Sequence, residues 1–369
     1  MIKNNTLRIH VVNVGHGDSI VVEFPDEVAN GRRPRFGLVD AGGDKESVKT
    51  KTADYLRTFL QYRHEASPST SLAEMDYRFE FICLTHPHAD HLYGMMPVLE
   101  EFADASIPAS AKPRQFWDCG FRYNTVGYRK ILKYLSDNSP IQFLRVTSGT
   151  EFHYGDSEVL AIAPSIDMRN RYDTYGVCVN DASIVLRITL GNGVAILTGD
   201  AHFDSWGKVC EEFPRTKHVV YPPPSGGTPD VSAPDHDEIA FVSQANQLNC
   251  QLLKVSHHGS KRGTSYEYIE KLSPLHFAIP CDSDSAYSST WKHKFPHPIT
   301  RLILGEEVGA FTASSSAIPA TSALQEKVGT TAELGTLVYK ITRGGRVTRA
   351  SLGETKGKRV KIADFAAHL

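Results

Sequence analysis

Three imidazoles and a carboxylate crowd the segment Thr85-His86-Pro87-His88-Ala89-Asp90-His91, and this cluster restricts the fold more than any other stretch of the chain. The run before it, Phe79-Glu80-Phe81-Ile82-Cys83-Leu84, reads as a short apolar strand, and Gly94 precedes a stretch suited to a helix. The cluster is therefore expected at the C-terminal mouth of a strand, where layered α/β folds place their sites. Residues two apart in extended backbone project to one side, so His86 and His88 can share an ion. Asp90 and His91 lie past the bend and can reach a second. Burying so many titratable groups without a cation leaves polar atoms unpaired, which is costly. The isolated His64, His153, His218 and His236 show no such pattern and read as incidental.

The remaining site candidates also sit at strand ends. Val194 to Leu197 runs into Thr198-Gly199-Asp200, and Asp200 is placed to bridge two ions. Leu252 to Val255 runs into Ser256-His257-His258-Gly259-Ser260, where one of the adjacent histidines should complete the second ion. Strand alternation points the two rings to opposite faces, so both reach the ions only if the backbone kinks, and the pattern does not choose between them.

The first forty residues read as a meander of strands, Leu7 to Val14, Ser19 to Phe24 and Phe36 to Val39, with the Gly15-His16-Gly17-Asp18 turn after the first. Helices are expected over Thr52 to Arg63 and Val126 to Leu135 from apolar residues at helical spacing. Further strands are expected over Val159 to Ala163, Ile184 to Leu190, Val194 to Thr198, Leu252 to Val255 and Phe277 to Ile279. A last hairpin, Leu337 to Ile341 and Val347 to Leu352, turns through Gly344-Gly345. Mixed strands and helices argue for an α/β sheet sandwich covered by helices. Tyr221 to Asp230, rich in Pro and Gly, suits neither helix nor central strand and reads as a loop.

At 369 residues the chain can bury a full core as one large domain or two modest ones. A formal net charge of -2 gives no global pull toward nucleic acid or anionic membrane, so a polyanion would have to be held by a local patch. Cys83, Cys119, Cys178, Cys210, Cys250 and Cys281 are widely spaced, which argues against a zinc ribbon or a disulfide framework and fits a reducing, cytoplasmic setting. No stretch approaches the roughly 20 apolar residues that span a bilayer, and residues 1–6 lead directly into a strand pattern, so no membrane partner is expected.

Six motifs follow in order: Asn13 to Ser19, Leu38-Val39-Asp40-Ala41-Gly42, His86 to His91, Asn180-Asp181-Ala182-Ser183, Leu197-Thr198-Gly199-Asp200 and Lys254 to Ser260. Together they resemble the metallo-β-lactamase-fold hydrolases, and among these the branch of the ComEC-like DNA-uptake proteins, over about residues 7–300. The resemblance implies an αββα sandwich forming a domain over 1–300, with an inserted lid at about 213–238. Residues 301–369 then form a C-terminal extension that ends in the hairpin and packs on the same domain. It also implies one or two divalent ions, zinc or manganese. His86 and His88 would hold one, Asp90 and His91 with His257 or His258 the other, and Asp200 would bridge. Asp40 would orient a ligand imidazole from behind, with Asp18, Asn180, Asp181, Ser183 and Ser260 also supporting the ligands. Where many members place a third histidine for the first ion, this chain has Asn180, Asp181 and Ser183, which implies a weakly held or replaceable ion. His16 stands where the branch usually shows Gln. Phe295-Pro296-His297-Pro298 is similar to the branch's Tyr-Gly-His-Pro segment, so His297 is implied to line the pocket.

Two neighbouring divalent ions generate hydroxide at neutral pH and stabilise charge on an attacked phosphorus or carbonyl. With no Gly-x-Ser-x-Gly nucleophile motif in the chain, a metal-bound hydroxide is the expected nucleophile, and Asp90, His257, His258 and His297 are candidates for the leaving-group proton. A phosphodiester in DNA or RNA is the expected substrate, with Lys254, Lys261, Arg262 and Lys292 as phosphate contacts. An esterase for a small phosphodiester or carboxylic ester suits the near-neutral charge better, and a non-catalytic interaction protein that keeps the fold is a third class. The sequence names no protein partner.

Overall fold

The computed structural model describes residues 1–26, 33–43, 46–121, 123–137, 140–168, 178–213, 217–220, 240–243, 248–282, 295–307, 326–352 and 359–369. The opening meander forms as expected: β1 (Leu7–Val11), β2 (Ser19–Phe24) and β3 (Arg35–Ala41) pair antiparallel in turn. Then β4 (Arg78–Leu84), β5 (Gln115–Asp118) and β6 (Gln142–Arg145) add on in parallel. The second sheet contains β7 (Glu151–Tyr154), β8 (Ser157–Ala163), β9 (Val185–Leu190) and β10 (Gly193–Leu197). Beyond a separate two-stranded pair, β11 (Lys217–Val220) and β12 (Ala240–Ser243), it continues through β13 (Leu252–Lys254), β14 (His276–Ile279) and β15 (Val328–Thr330).

The last hairpin, β16 (Leu337–Ile341) and β17 (Val347–Ser351), does more than pack on a finished domain. β16 pairs antiparallel with β1 and completes an 8-stranded sheet in the order β17-β16-β1-β2-β3-β4-β5-β6. β15 likewise closes the 7-stranded sheet β15-β14-β13-β10-β9-β8-β7. A boundary at residue 300 falls inside the helix Pro298–Glu307 and leaves strands of both sheets on its far side. The Pro- and Gly-rich loop from Tyr221 to Asp230 lies outside the described residues, between β11 and β12.

Three apolar layers separate four structural ones. Val21, Leu38, Ile82 and Phe116 on one face of the first sheet pack with Leu56, Phe59 and Leu60 of α1 (Lys51–His64) and Phe365 of the C-terminal helix. Ile9, Val22, Phe81 and Trp117 on its other face meet Leu186, Ile188, Ala195 and Leu252 of the second sheet. Ile196, Leu253 and Phe277 then face Trp206, Ile269 and Leu304 of the outer helices. Strands covered on both faces must be largely apolar on both, which explains the runs Ile20-Val21-Val22 in β2 and Val194 to Leu197 in β10. The parallel strands β3, β4, β10 and β13 deliver their C-terminal ends to one edge between the sheets.

Candidate metal centre

The loop after β4 is held by backbone contacts that require glycine. A Cβ on Gly42 would lie 1.8 Å from the Asp90 carbonyl oxygen, and one on Gly17, at φ +138°, would lie 2.4 Å from the same atom. The Asp18 N–H donates to that carbonyl at 3.1 Å, and the Gly42 N–H donates to the Asp18 carbonyl at 2.6 Å. The Gly15-His16-Gly17-Asp18 and Asp40-Ala41-Gly42 motifs thus clamp the loop that carries Asp90.

Asp40 takes a left-handed φ of 58° at the end of β3, and each oxygen is used. Oδ1 accepts from the Thr85 N–H at 2.7 Å, while Oδ2 accepts from the Thr85 hydroxyl at 2.7 Å and sits 2.7 Å from His91 Nδ1. That contact leaves His91 Nε2 facing Asp200 Oδ1 at 3.2 Å, and both atoms are buried without a hydrogen-bond partner. His258 is oriented in the same way. Its Nδ1 lies 2.9 Å from the Pro280 carbonyl, which can only accept, so Nδ1 carries a proton and Nε2 is the nitrogen turned to the cluster, 3.3 Å from Asp90 Oδ2. Asp90, His91, Asp200 and His258 each place one donor atom within 4.8 Å of all the others. Orphaned buried donors from imidazole and carboxylate, converging on one point, suit a divalent cation.

Electrostatics describe the same need. Burial alone would lower the His91 pKa, but Asp200 and Asp40 hold it well above the ordinary value. His258 is likewise raised against burial to about 10, by Asp200 and then Asp18. Asp90 and Asp200 are held well below the usual carboxylate range against their own burial, by His258 and His91 for Asp90 and by His257, His91 and His258 for Asp200. Burial holds His86 well below its ordinary value, and His88 and His257 are lowered by the same cause.

His86 Nε2 lies 3.0 Å from His88 Nδ1 and 4.0 Å from Asp200 Oδ2. The Ser183 hydroxyl lies 3.3 Å from His86 Nδ1 and accepts from the Asp200 N–H at 3.0 Å. Asn180 Nδ2 lies 3.1 Å from His202 Nε2 and 3.4 Å from His257 Nδ1. Asp181 Oδ1 accepts from the N–H groups of His202 and Ser205 at the start of helix Phe203–Glu212, a capping role one step removed from the cluster. Ser260 donates its N–H to the His257 carbonyl at 2.8 Å and so ties the turn. The His297 N–H donates to the Gly259 carbonyl at 2.9 Å, and its Nδ1 accepts from Ile299 at 3.2 Å, which places it beside that turn.

The strand alternation expected for His257 and His258 is broken. Both residues are left-handed, at φ 48° and 53°, and both rings turn toward Asp200. Lys254 corrects another expectation. It is fully buried, its Nζ donates to the Gly199 carbonyl at 2.6 Å and pairs with Asp18, so it stands behind the cluster and cannot meet a substrate phosphate. Lys261 and Arg262 are exposed, and Arg262 is close enough to contribute to the lowered pKa of His202. Lys292 lies outside the described residues. His202 escaped the sequence reading, although its position two residues after Asp200 was a usable signal. His16 was noted only as a departure, yet its Nε2 lies 3.5 Å from Asp90 Oδ2.

A family model described as the metallo-beta-lactamase superfamily matches residues 12–266. No curated protein matches the chain. Among solved structures it is similar to the metallo-beta-lactamase fold protein YhfI from Bacillus subtilis, at 11% identity and a TM-score of 0.43, covering 94% of this chain and 100% of that one. It is similar to CmlA, a diiron beta-hydroxylase from Streptomyces venezuelae, at 12% identity and a TM-score of 0.39, covering 84% of this chain but only 52% of that one. A long form RNase Z from yeast matches at 13% identity and a TM-score of 0.37, covering 76% of this chain and 38% of that one.

Proposed function

We infer that this chain, which belongs to the metallo-β-lactamase superfamily, is a metal-dependent hydrolase of phosphodiesters, with DNA or RNA as the leading substrate. The observation that carries the reading is the convergence of Asp90, His91, Asp200 and His258, with His91 Nε2 and Asp200 Oδ1 buried face to face at 3.2 Å and neither making a hydrogen bond. Asp90, His91 and His258 would hold one divalent ion, His86 and His88 another, and Asp200 would serve both. Zinc and manganese each suit this donor set of imidazoles and carboxylates. When bound, such ions supply Lewis acidity and water activated near neutral pH.

The chain's own residues prepare the site. Asp40 and the Pro280 carbonyl fix the ring orientation and tautomer of His91 and His258, so each presents Nε2. His16 and His297, at the rim of the His258 turn, are the candidates for handling the leaving-group proton. Arg262 and Lys261, exposed next to the His257-His258 turn, are the cations we assign to substrate phosphate. The six ordered motifs support a ComEC-like branch. A small phosphodiester is the second reading, favoured because Lys254 is withdrawn into an ion pair and leaves a sparser rim of charge.

The test is turnover by metal-loaded protein of single-stranded DNA, duplex DNA, RNA, a chromogenic phosphodiester and a chromogenic lactam, with Asp200→Ala as the inactive control. Cleavage of nucleic acid at low salt is the expected result. Turnover of the small phosphodiester alone would install the second reading, and turnover of the lactam alone would overturn both.

A further inference from the structure

We propose that His257 is the third imidazole of the ion held by His86 and His88, swung into place by the left-handed His257-His258 turn and oriented from behind by His202. The inference rests on the metal-dependent reading above and assigns a donor to the side of the site that the sequence left short.

The two oxygens of Asp200 divide the cluster. Oδ1 lies 3.2 Å from His91 Nε2 and 3.8 Å from His258 Nε2. Oδ2 lies 3.6 Å from His257 Nε2 and 4.0 Å from His86 Nε2. Adjacent residues of a strand could not show the same ring nitrogen to the same carboxylate. Here they do so because both adopt a conformation that costs an L-residue about 1–2 kcal/mol. Strain of this kind persists where the surroundings enforce it. The enforcement is visible: the His257 N–H donates to the Gly199 carbonyl at 3.2 Å, the Ser260 N–H donates back to His257, and Gly259 follows at φ 82°.

His202 stands at the start of helix Phe203–Glu212, held by Asp181 and Asn180, with its ring against His257. Its Nε2 lies 2.6 Å from His257 Nδ1, and the two rings are stacked at 4.8 Å. One proton must lie between two ring nitrogens at that distance. With the proton on His257 Nδ1 and His202 accepting, His257 Nε2 keeps a free lone pair toward Asp200. This is the arrangement by which a neighbour fixes the tautomer of a ligating imidazole. The set is more open than the Asp90, His91, Asp200 and His258 group, so its ion should be the weaker of the two.

The experiment loads chelator-stripped protein with Zn2+ and reads stoichiometry by elemental analysis and affinity by competition with a chromophoric chelator. A Co2+-substituted sample reports the donor set through its visible absorption. The parent should take two equivalents. His257→Ala should take one, held as tightly as the stronger ion of the parent, and should lose one set of Co2+ bands. His202→Ala should keep two but weaken the looser one by about 10- to 100-fold. If His257→Ala does not melt cooperatively, His257→Gln replaces it with the same expectation. Two ions of parental affinity in the His257 variant, no change in the His202 variant, or a parent that binds one ion would each overturn the inference. A parent that binds none would overturn the metal-dependent reading with it.

Discussion

Asp90 depends on a residue that carries no chemistry. Because Gly42 has no room for a Cβ against the Asp90 carbonyl, Gly42→Ala should displace the Asp90 loop and weaken metal retention as if a ligand had been altered, a change that chelator competition would read. Asp40→Ala should act from the other side, by freeing the His91 ring, with a loss of about 10- to 100-fold in metal affinity. The charge of the site also sets a pH dependence. In the chelator-treated protein His258 has a pKa near 10 against an ordinary 6.5, so its contribution to stability is full below pH 6.5 and is lost as pH rises toward 10. Thermal melts of that sample should fall over this window, while the metal-loaded protein, whose imidazoles are already deprotonated, should not follow it.

At the scale of elements, the strands richest in apolar residues were legible and the sparse ones were not. β2 was read to the residue, and β4, β10 and the last hairpin to within one or two, because burial on both faces or strict alternation wrote them into the sequence. β5, β6, β7, β11, β12 and β15 were missed. β6 and β7 lie at the edges of their sheets and carry polar, partly exposed residues, β5 is a Gln-headed strand of four residues, and β15 has only three. That Asp90, His91, Asp200 and His258 converge was legible because local spacing and strand ends position them. The His257-His258 turn was not, since left-handed backbone at two consecutive non-glycine residues leaves no mark in hydrophobic periodicity. The burial of Lys254 was equally hidden, because its partner Asp18 is remote in sequence. Removal of residues 326–369 should abolish folding, since it deletes β15, β16 and β17 and bares the β1 edge; a truncated chain that melts cooperatively would show the sandwich closes without them.

Taken whole, the molecule carries a net charge of -2, so the affinity of a polyanion should come from few contacts and fall gently with salt. Arg262→Ala should reduce the slope of log affinity against log salt by about one. Lys254→Met should leave that slope unchanged and instead destabilise the fold by about 3–5 kcal/mol in denaturant unfolding, because it strands the Asp18 carboxylate. The pairing of β1 with β16 has a further consequence for how the chain is made. Residues 7–11 are made before their partners at 337–341, and every strand of the second sheet is translated in between. Until β16 is made, β1 offers an open row of amides and carbonyls on that side to any passing strand, and the first sheet stays unfinished while the second is translated. Production of this protein should therefore be governed by what shields that nascent edge, and slower translation by itself should bring no gain in soluble yield.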